Sequence, residues 1–224
     1  MSDRGQPATT NNGRILALTG GTGFIGSSLA RRFVASGWQV RALVRDAARA
    51  SRLRDLGVQL VLGDLFDAAA LRSLVSGTDA IVHCAGAVRG ITEQEFKRVN
   101  AAGLENLATV ADRLEAPPLF LSLSSLAARE PRLSPYAASK KAGEDALASA
   151  ASRMRWIALR PPAVYGPGDR EMLPLLQWMM RGVAPVLGSP EARFSLLYVE
   201  DLIAAIEKCI CSEHCPNGVF ELHD

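Results

Sequence analysis

Tyr136 and Lys140 stand four residues apart in the segment Tyr136-Ala-Ala-Ser-Lys140. On a helix this spacing puts a phenol and an ammonium on one face. A nearby cation favours phenolate, so the tyrosine pKa is expected below its usual value of about 10. Tyr136 is then a candidate general acid/base for a substrate hydroxyl or carbonyl. The chain has only four lysines, Lys97, Lys140, Lys141 and Lys208, against a majority of arginines. Ser124-Ser125 ends an apolar run, and a hydroxyl there can hydrogen-bond a reacting oxygen; serine after a strand also commonly just caps a turn. Asn100 falls inside a long helical stretch, where asparagine is a mediocre residue. It reads equally as a support for backbone near Lys140 and as an ordinary surface residue. No Gly-x-Ser-x-Gly elbow surrounds Ser125, which argues against a hydrolase nucleophile.

A second pattern lies near the N-terminus. Gly20-x-x-Gly23-x-x-Gly26 follows an apolar run directly and opens a helical one, with Phe24 and Ile25 between the last two glycines. Glycines allow a tight turn, let backbone approach phosphates and let helix pack close to strand. The helix N-terminus offers N–H groups and a partial positive charge to a pyrophosphate. The reading is a dinucleotide cofactor. The next strand ends Leu43-Val44-Arg45. Val44 cannot chelate a ribose diol, whereas Arg45 can pair with a 2′-phosphate, so NADP(H) is favoured over NAD(H). Asp46 follows and offers the alternative diol partner. Asp64, in Gly63-Asp64-Leu65, can accept from an adenine amino group.

The elements that must position these residues alternate. Arg14–Thr19, Gln39–Val44, Val58–Leu62, Ala80–Cys84, Leu119–Ser124 and Trp156–Leu159 read as buried strands. Helical patterns run from Phe24 to Ser36 with Gly37 as stop, over Ala68–Val75, about Glu93–Leu114, and Pro135 to about Ser152. Ser134 fits an N-cap, with Pro135 in the first turn. The alternation predicts an α/β fold, a doubly wound parallel sheet covering residues 14–160. Residues 1–13 read as a disordered tail. Beyond Arg160 the chain turns Pro- and Gly-rich and reads as a partial substrate lobe over 161–224, interleaved with the first domain, with Gly218–Asp224 as a further strand.

Composition narrows the functions. The 224 residues are 48% hydrophobic, enough for a full core, and 25 basic against 23 acidic residues leave a charge of +2. That balance gives no argument for nucleic acid or anionic membrane. No run of about 18 apolar residues suggests a span, and the polar N-terminus is no secretory signal. Cys209, Cys211, His214 and Cys215 cluster late, but no second ligand pair accompanies them; reduced thiols in a cytoplasmic protein, without bound metal, are expected.

Taken together, TGGTGFIG (19–26), GDL (63–65), HCAG (83–86), VNAAGLENL (99–107), LSS (123–125), YAASK (136–140), RPPAVYGPGD (160–169) and LLYVEDL (196–202) resemble the short-chain dehydrogenase/reductase superfamily in its extended, epimerase/dehydratase-like branch. The resemblance implies a Rossmann fold and a catalytic triad of Ser125, Tyr136 and Lys140. It also implies cofactor contacts from Gly20, Gly23, Phe24, Ile25, Gly26, Arg45, Asp64, Leu65, Ala85, Lys140 and Pro161. Hydride would pass between nicotinamide and a carbinol carbon while Tyr136 moves the proton. Three departures stand out. Nucleotide-sugar members usually carry Asn where this chain has Ala163. They often show Arg-Asp where Phe194-Ser195 stands. They also continue further, so the substrate lobe reads as truncated. The expected activity is an NAD(P)-dependent oxidoreductase of a small carbonyl or secondary alcohol. The alternatives are a sugar epimerase/dehydratase and a non-catalytic NADP(H) sensor or assembly protein. A homodimer is compatible with the sequence.

Overall fold

The computed structural model describes residues 13–88, 92–183, 189, 191, 193, 195–212 and 214–223. The tail expected over 1–13 lies outside these residues except for Gly13, and so does Phe194. Seven parallel strands form the main sheet: β1 (Ile15–Thr19), β2 (Gln39–Val44), β3 (Gln59–Leu62), β4 (Ala80–His83), β5 (Leu119–Leu123), β6 (Trp156–Arg160) and β9 (Gly218–Glu221). Their spatial order is β3-β2-β1-β4-β5-β6-β9. The direction of winding reverses between β1 and β4, and ligands bind beyond the strand C-termini at such a switch point.

Alternation along each strand decides which helix layer it meets. Leu16 and Leu18 of β1 enter one core with Leu29 and Phe33 of α1 (Phe24–Ala35), Leu53 of α2 (Ser51–Asp55), and Leu202, Ile203 and Ile206 of α8 (Val199–Cys211). Ala17 faces the other core with Leu71 and Leu74 of α3 (Ala68–Val75), Leu104 and Leu107 of α5 (Gly103–Asp112), and Leu147 of α6 (Pro135–Ala150). Ala80, Val82 and Leu121 likewise face the first core, and Ile81 and Phe120 the second. The result is the doubly wound sheet that the sequence implies.

The long helical stretch is broken. α4 (Glu93–Lys97), closed by a capping box of Thr92 and Glu95, runs into a π-helical turn at Arg98–Ala102 and then into α5. The wider turn carries Asn100 inward, where it is 3% exposed. Beyond β6 the chain makes β7 (Ala163–Tyr165), which pairs with β8 (Leu196–Tyr198) in a separate two-stranded sheet, and α7 (Leu173–Met180) between them. Much of the segment read as a lobe therefore returns to the main body, as α8 on one face and β9 at the sheet edge.

Candidate active site

The glycine turn is built by close approach. Gly20 has φ +73°, and a Cβ there would lie 2.6 Å from the Ala85 nitrogen. A Cβ on Gly26 would lie 2.2 Å from the Gly20 carbonyl oxygen, so only glycine lets α1 start against the turn. Gly23 is the N-cap of α1 and supplies no side-chain cap, and the first turn of α1 carries no acidic residue. A helix start of this kind suits a pyrophosphate. Phe24 and Ile25 continue the helix and pack on the first core.

Beside the turn opens a cavity of about 370 Å³ lined by Gly21, Thr22, Ser27, Arg31, Arg49, Arg52, Leu53, Asp55 and Leu56. Three guanidinium groups thus face one carboxylate. Arg45 is exposed just after β2 and is not among the lining residues. Sequence reasoning misses Arg49 and Arg52, and the signal that could have found them is the run of arginines between β2 and β3. Asp46 accepts from the Ala48 amide and pairs with Arg49 at 3.5 Å. Asp64 is exposed and accepts from the Phe66 amide at 2.7 Å, an Asx turn. Leu65 is buried, and its carbonyl accepts from Asn106. Ala85 donates to Thr19 Oγ1, and Pro161 is buried with its carbonyl bonded to the Leu126 amide.

Helix α6 presents Tyr136 and Lys140. Ser134 caps it by accepting from the Ala137 amide, with Pro135 in the first turn, as the sequence implies. The chain then binds α6 to the end of β5 at three consecutive residues. The Lys140 ammonium donates to the Leu123 carbonyl at 2.9 Å. Ser124 Oγ donates to Glu144. Ser125 lies close enough to the Tyr136 phenol to hold its pKa down against burial. Ser125 also caps the turn after β5, accepting from the Ala127 amide at 3.2 Å, which is the turn-capping reading of that serine. Lys140 is linked to the glycine turn through Gly86, whose Cβ would sit 3.1 Å from the ammonium, while neighbouring Ala85 abuts Gly20.

The electrostatics correct one expectation. The Tyr136 pKa is raised rather than lowered: burial beside the edge-on Phe96 ring desolvates the phenolate and outweighs the Ser125 hydrogen bond. The Lys140 ammonium lies 6.0 Å from the Tyr136 ring centroid and is engaged with Leu123. Desolvation in turn pulls Lys140 down to about 8, opposed by Cys84 and Glu144. His83 falls to about 3 through burial and the nearby Lys140 cation, and burial pushes the Cys84 thiol up to about 12. Near neutral pH both are uncharged.

Asn100 is no surface residue. Its amide accepts from the Ala87 N–H and donates to the Ala87 carbonyl and to Ser139 Oγ. It fixes the irregular segment after β4 to α6. Gly143 lets this happen, since a Cβ there would meet the Asn100 carbonyl at 2.4 Å. Of the late cysteines, Cys209 and Cys215 are free thiols packed against the first core and Cys211 is exposed. Among the described residues no three potential ligands gather to hold a metal, and no helix is long and apolar enough to cross a membrane.

Comparison with known proteins adds three findings. The family model described as NAD dependent epimerase/dehydratase family matches residues 16–216. A ceramide reductase of Caulobacter vibrioides is 44% identical over 193 residues, covering 86% of this chain and 59% of that enzyme. A 2-alkyl-3-oxoalkanoate reductase of Stenotrophomonas maltophilia is 29% identical over 211 residues, covering 85% of this chain and 63% of the relative. The chain thus spans less than two thirds of the length of either. Among solved structures, the Bordetella bronchiseptica enzyme WbmH in complex with NAD+ has a similar fold, with TM-score 0.79 at 22% identity over 94% of this chain and 76% of that one.

Proposed function

The chain belongs to the NAD-dependent epimerase/dehydratase family, and from that premise we propose that it is a nicotinamide-dependent oxidoreductase, using NADP(H) by preference, that reduces a ketone on an aliphatic, lipid-like molecule. One observation carries the reading: three successive residues at the end of β5 meet Tyr136, Lys140 and Glu144 on successive turns of α6, beside a glycine turn shaped for a dinucleotide.

The cofactor supplies a hydride donor and acceptor. The chain supplies the rest. Glycines 20, 23 and 26 and the start of α1 receive the pyrophosphate. Arg45, with Arg49 and Arg52 at the neighbouring cavity, favours a 2′-phosphate, and the engagement of Asp46 with Ala48 and Arg49 leaves the diol without its best acidic partner. Tyr136 enters the cycle as a neutral phenol, consistent with its raised pKa, and donates its proton to the carbonyl oxygen as charge develops there. Ser125 holds the same oxygen. Lys140 holds the nicotinamide ribose and its positive charge supports the phenolate that remains.

The substrate side supports a hydrocarbon rather than a sugar nucleotide. Ala163 and Ser195 stand together at the start of the small sheet, where Ala163 is in register with Leu196, and neither offers the amide or guanidinium that a nucleotide-sugar would use. Helix α7 leaves Leu173, Trp178, Met179 and Met180 exposed. Both relatives above are named as reductases of aliphatic compounds. The test is a panel of ketones, from short-chain to long-chain keto lipids, offered with NADPH or NADH, and ceramide offered with NADP+. Faster turnover of long-chain members with NADPH is expected. No turnover of any carbonyl, together with retained NAD+ and interconversion of sugar nucleotides, would replace this reading by the epimerase one.

A further inference from the structure

We propose that Glu144 is a positioning residue for Lys140: clamped by Arg160 and Ser124, its carboxylate sets α6 in register with the end of β5 and stands one helical turn from the Lys140 ammonium. The inference rests on the functional reading above only for what Lys140 does in turnover.

Glu144 lies one helical turn beyond Lys140 on the same face of α6. It is 4% exposed. Arg160, at the end of β6, grips it with two bonds, Nε to Oε1 at 2.8 Å and Nη2 to Oε2 at 2.7 Å. Ser124 donates to the same Oε1. Arg160 also reaches Glu221 of β9 at 3.2 Å, and Arg129 pairs with Glu221 at 3.4 Å. The clamp therefore ties α6 to β5, β6 and β9 at once. A buried ion pair is a poor source of net stability, because desolvation offsets most of its attraction. Its value here is placement. Shifting α6 by one residue against β5 would break the Leu123–Lys140, Ser124–Glu144 and Ser125–Tyr136 contacts together.

The charge argument follows from the groups around Lys140. His83 and Cys84 face it from the end of β4, Tyr136 from its own helix, and Glu144 from the next turn. With His83 lowered to about 3 and Cys84 raised to about 12, neither carries charge near neutral pH. Tyr136 is raised as well. Cys84 and Glu144 are the groups that favour the Lys140 ammonium, and of the two it is Glu144 that is held in place by an ion pair, with Arg160.

The experiment follows the Lys140 side chain by NMR of ¹³C-labelled lysine across pH in the full chain, with four lysines to assign. Glu144→Gln should move its titration to lower pH, on the order of one unit, and the alkaline limb of kcat/KM should move with it. Because Glu144→Gln leaves Arg160 without its buried partner, Glu144→Gln/Arg160→Gln is measured in parallel. It removes both charges, and because losing the guanidinium opposes losing the nearer carboxylate, a downward shift smaller than that of Glu144→Gln is expected. His83→Gln should leave the titration in place. An unmoved Lys140 titration in the folded double variant overturns the proposal, even if the rate falls. A downward shift in a protein that reduces no ketone would uphold the charge relation while refuting the functional reading.

Discussion

Cations stand at two places along the cleft, and the surroundings of each decide what the charge can do. Lys140 is packed among His83, Cys84, Tyr136 and Glu144, bonded to Leu123, and lowered to about 8 by desolvation. Its charge is conditional on its neighbours. Beside the glycine turn, Arg45 and Arg49 are exposed to solvent, and Arg31, Arg49 and Arg52 border an open cavity of about 370 Å³. Guanidinium keeps its charge throughout the working range. What varies there is the ligand and the salt. In the function proposed above, the part-buried cation serves chemistry and is set by the fold, whereas the exposed cations serve recognition and are set by the charge they meet.

The sharpest way to test this contrast is to remove single groups at each end. Tyr136→Phe deletes only a hydroxyl and keeps the ring edge-on to Phe96. Turnover should fall about 10²–10⁴-fold, the cost of losing one positioned acid, while cofactor affinity measured by fluorescence titration stays nearly constant. Near-normal turnover would mean that another acid carries the proton. At the other end, Arg45→Asp should weaken NADPH about tenfold to a hundredfold, the worth of one charge-assisted contact, and leave NADH and kcat much less affected. Equal losses for both cofactors would show that Arg45 does not read the 2′-phosphate.

The conditional charge of Lys140 has a stability consequence of smaller size. Its pKa is depressed on folding, from 10.5 to about 8. Below pH 8 both folded and unfolded chains hold the proton, and burying the ammonium costs stability. Between about 8 and 10.5 the folded chain releases a proton that the unfolded chain keeps, so stability rises with pH through that window. Lys140→Met should therefore stabilise the fold at neutral pH by roughly 1–2 kcal/mol, discounted for the partial exposure of the side chain, while it lowers turnover. Urea unfolding at pH 7 and pH 9.5 checks both parts, since the advantage of the variant should shrink at the higher pH. A destabilised variant at pH 7 would mean that the Leu123 contact outweighs the desolvation.

How legible each region is in the sequence follows the same division. The glycine turn and the Tyr136–Lys140 pair are local patterns, fixed by the geometry of one turn or one helix, and they read directly. So do the strands whose residues face two cores, and the cap at Ser134. The ion pairs that Arg160 makes with Glu144 and Glu221 do not read in the sequence, because the three residues meet only after two crossovers bring β5, β6 and β9 side by side. Asn100 stayed ambiguous for a related reason: its burial depends on a π-helical turn, which leaves no mark on a 3.6-residue periodicity. The raised pKa of Tyr136 needed tertiary information too, since spacing reveals a nearby cation but not the desolvation that opposes it. β7 and β8, at three residues each, are too short to show alternation. The run of α7, apolar except for Gln177, shows no clear period.

Ionic strength should separate the two cationic sites with the smallest effect of the set. Raising salt from about 0.1 to 1 M shortens the Debye length from about 10 to 3 Å. A 2′-phosphate held by exposed arginines feels that screening, whereas NADH, which lacks this phosphate, should feel less of it. The NADPH Kd is expected to rise about three- to tenfold, with a smaller rise for NADH. Lys140 and Glu144 interact across packed protein, and buried pairs are screened far less. The alkaline limb of the pH profile near 8 should therefore hold its position over the same salt range. An alkaline limb that moves with salt would place Lys140 in contact with bulk solvent, and the contrast between the two ends would fail. An unchanged NADPH Kd would instead remove the arginines from phosphate recognition and leave Asp46 and the diol as the basis of cofactor choice.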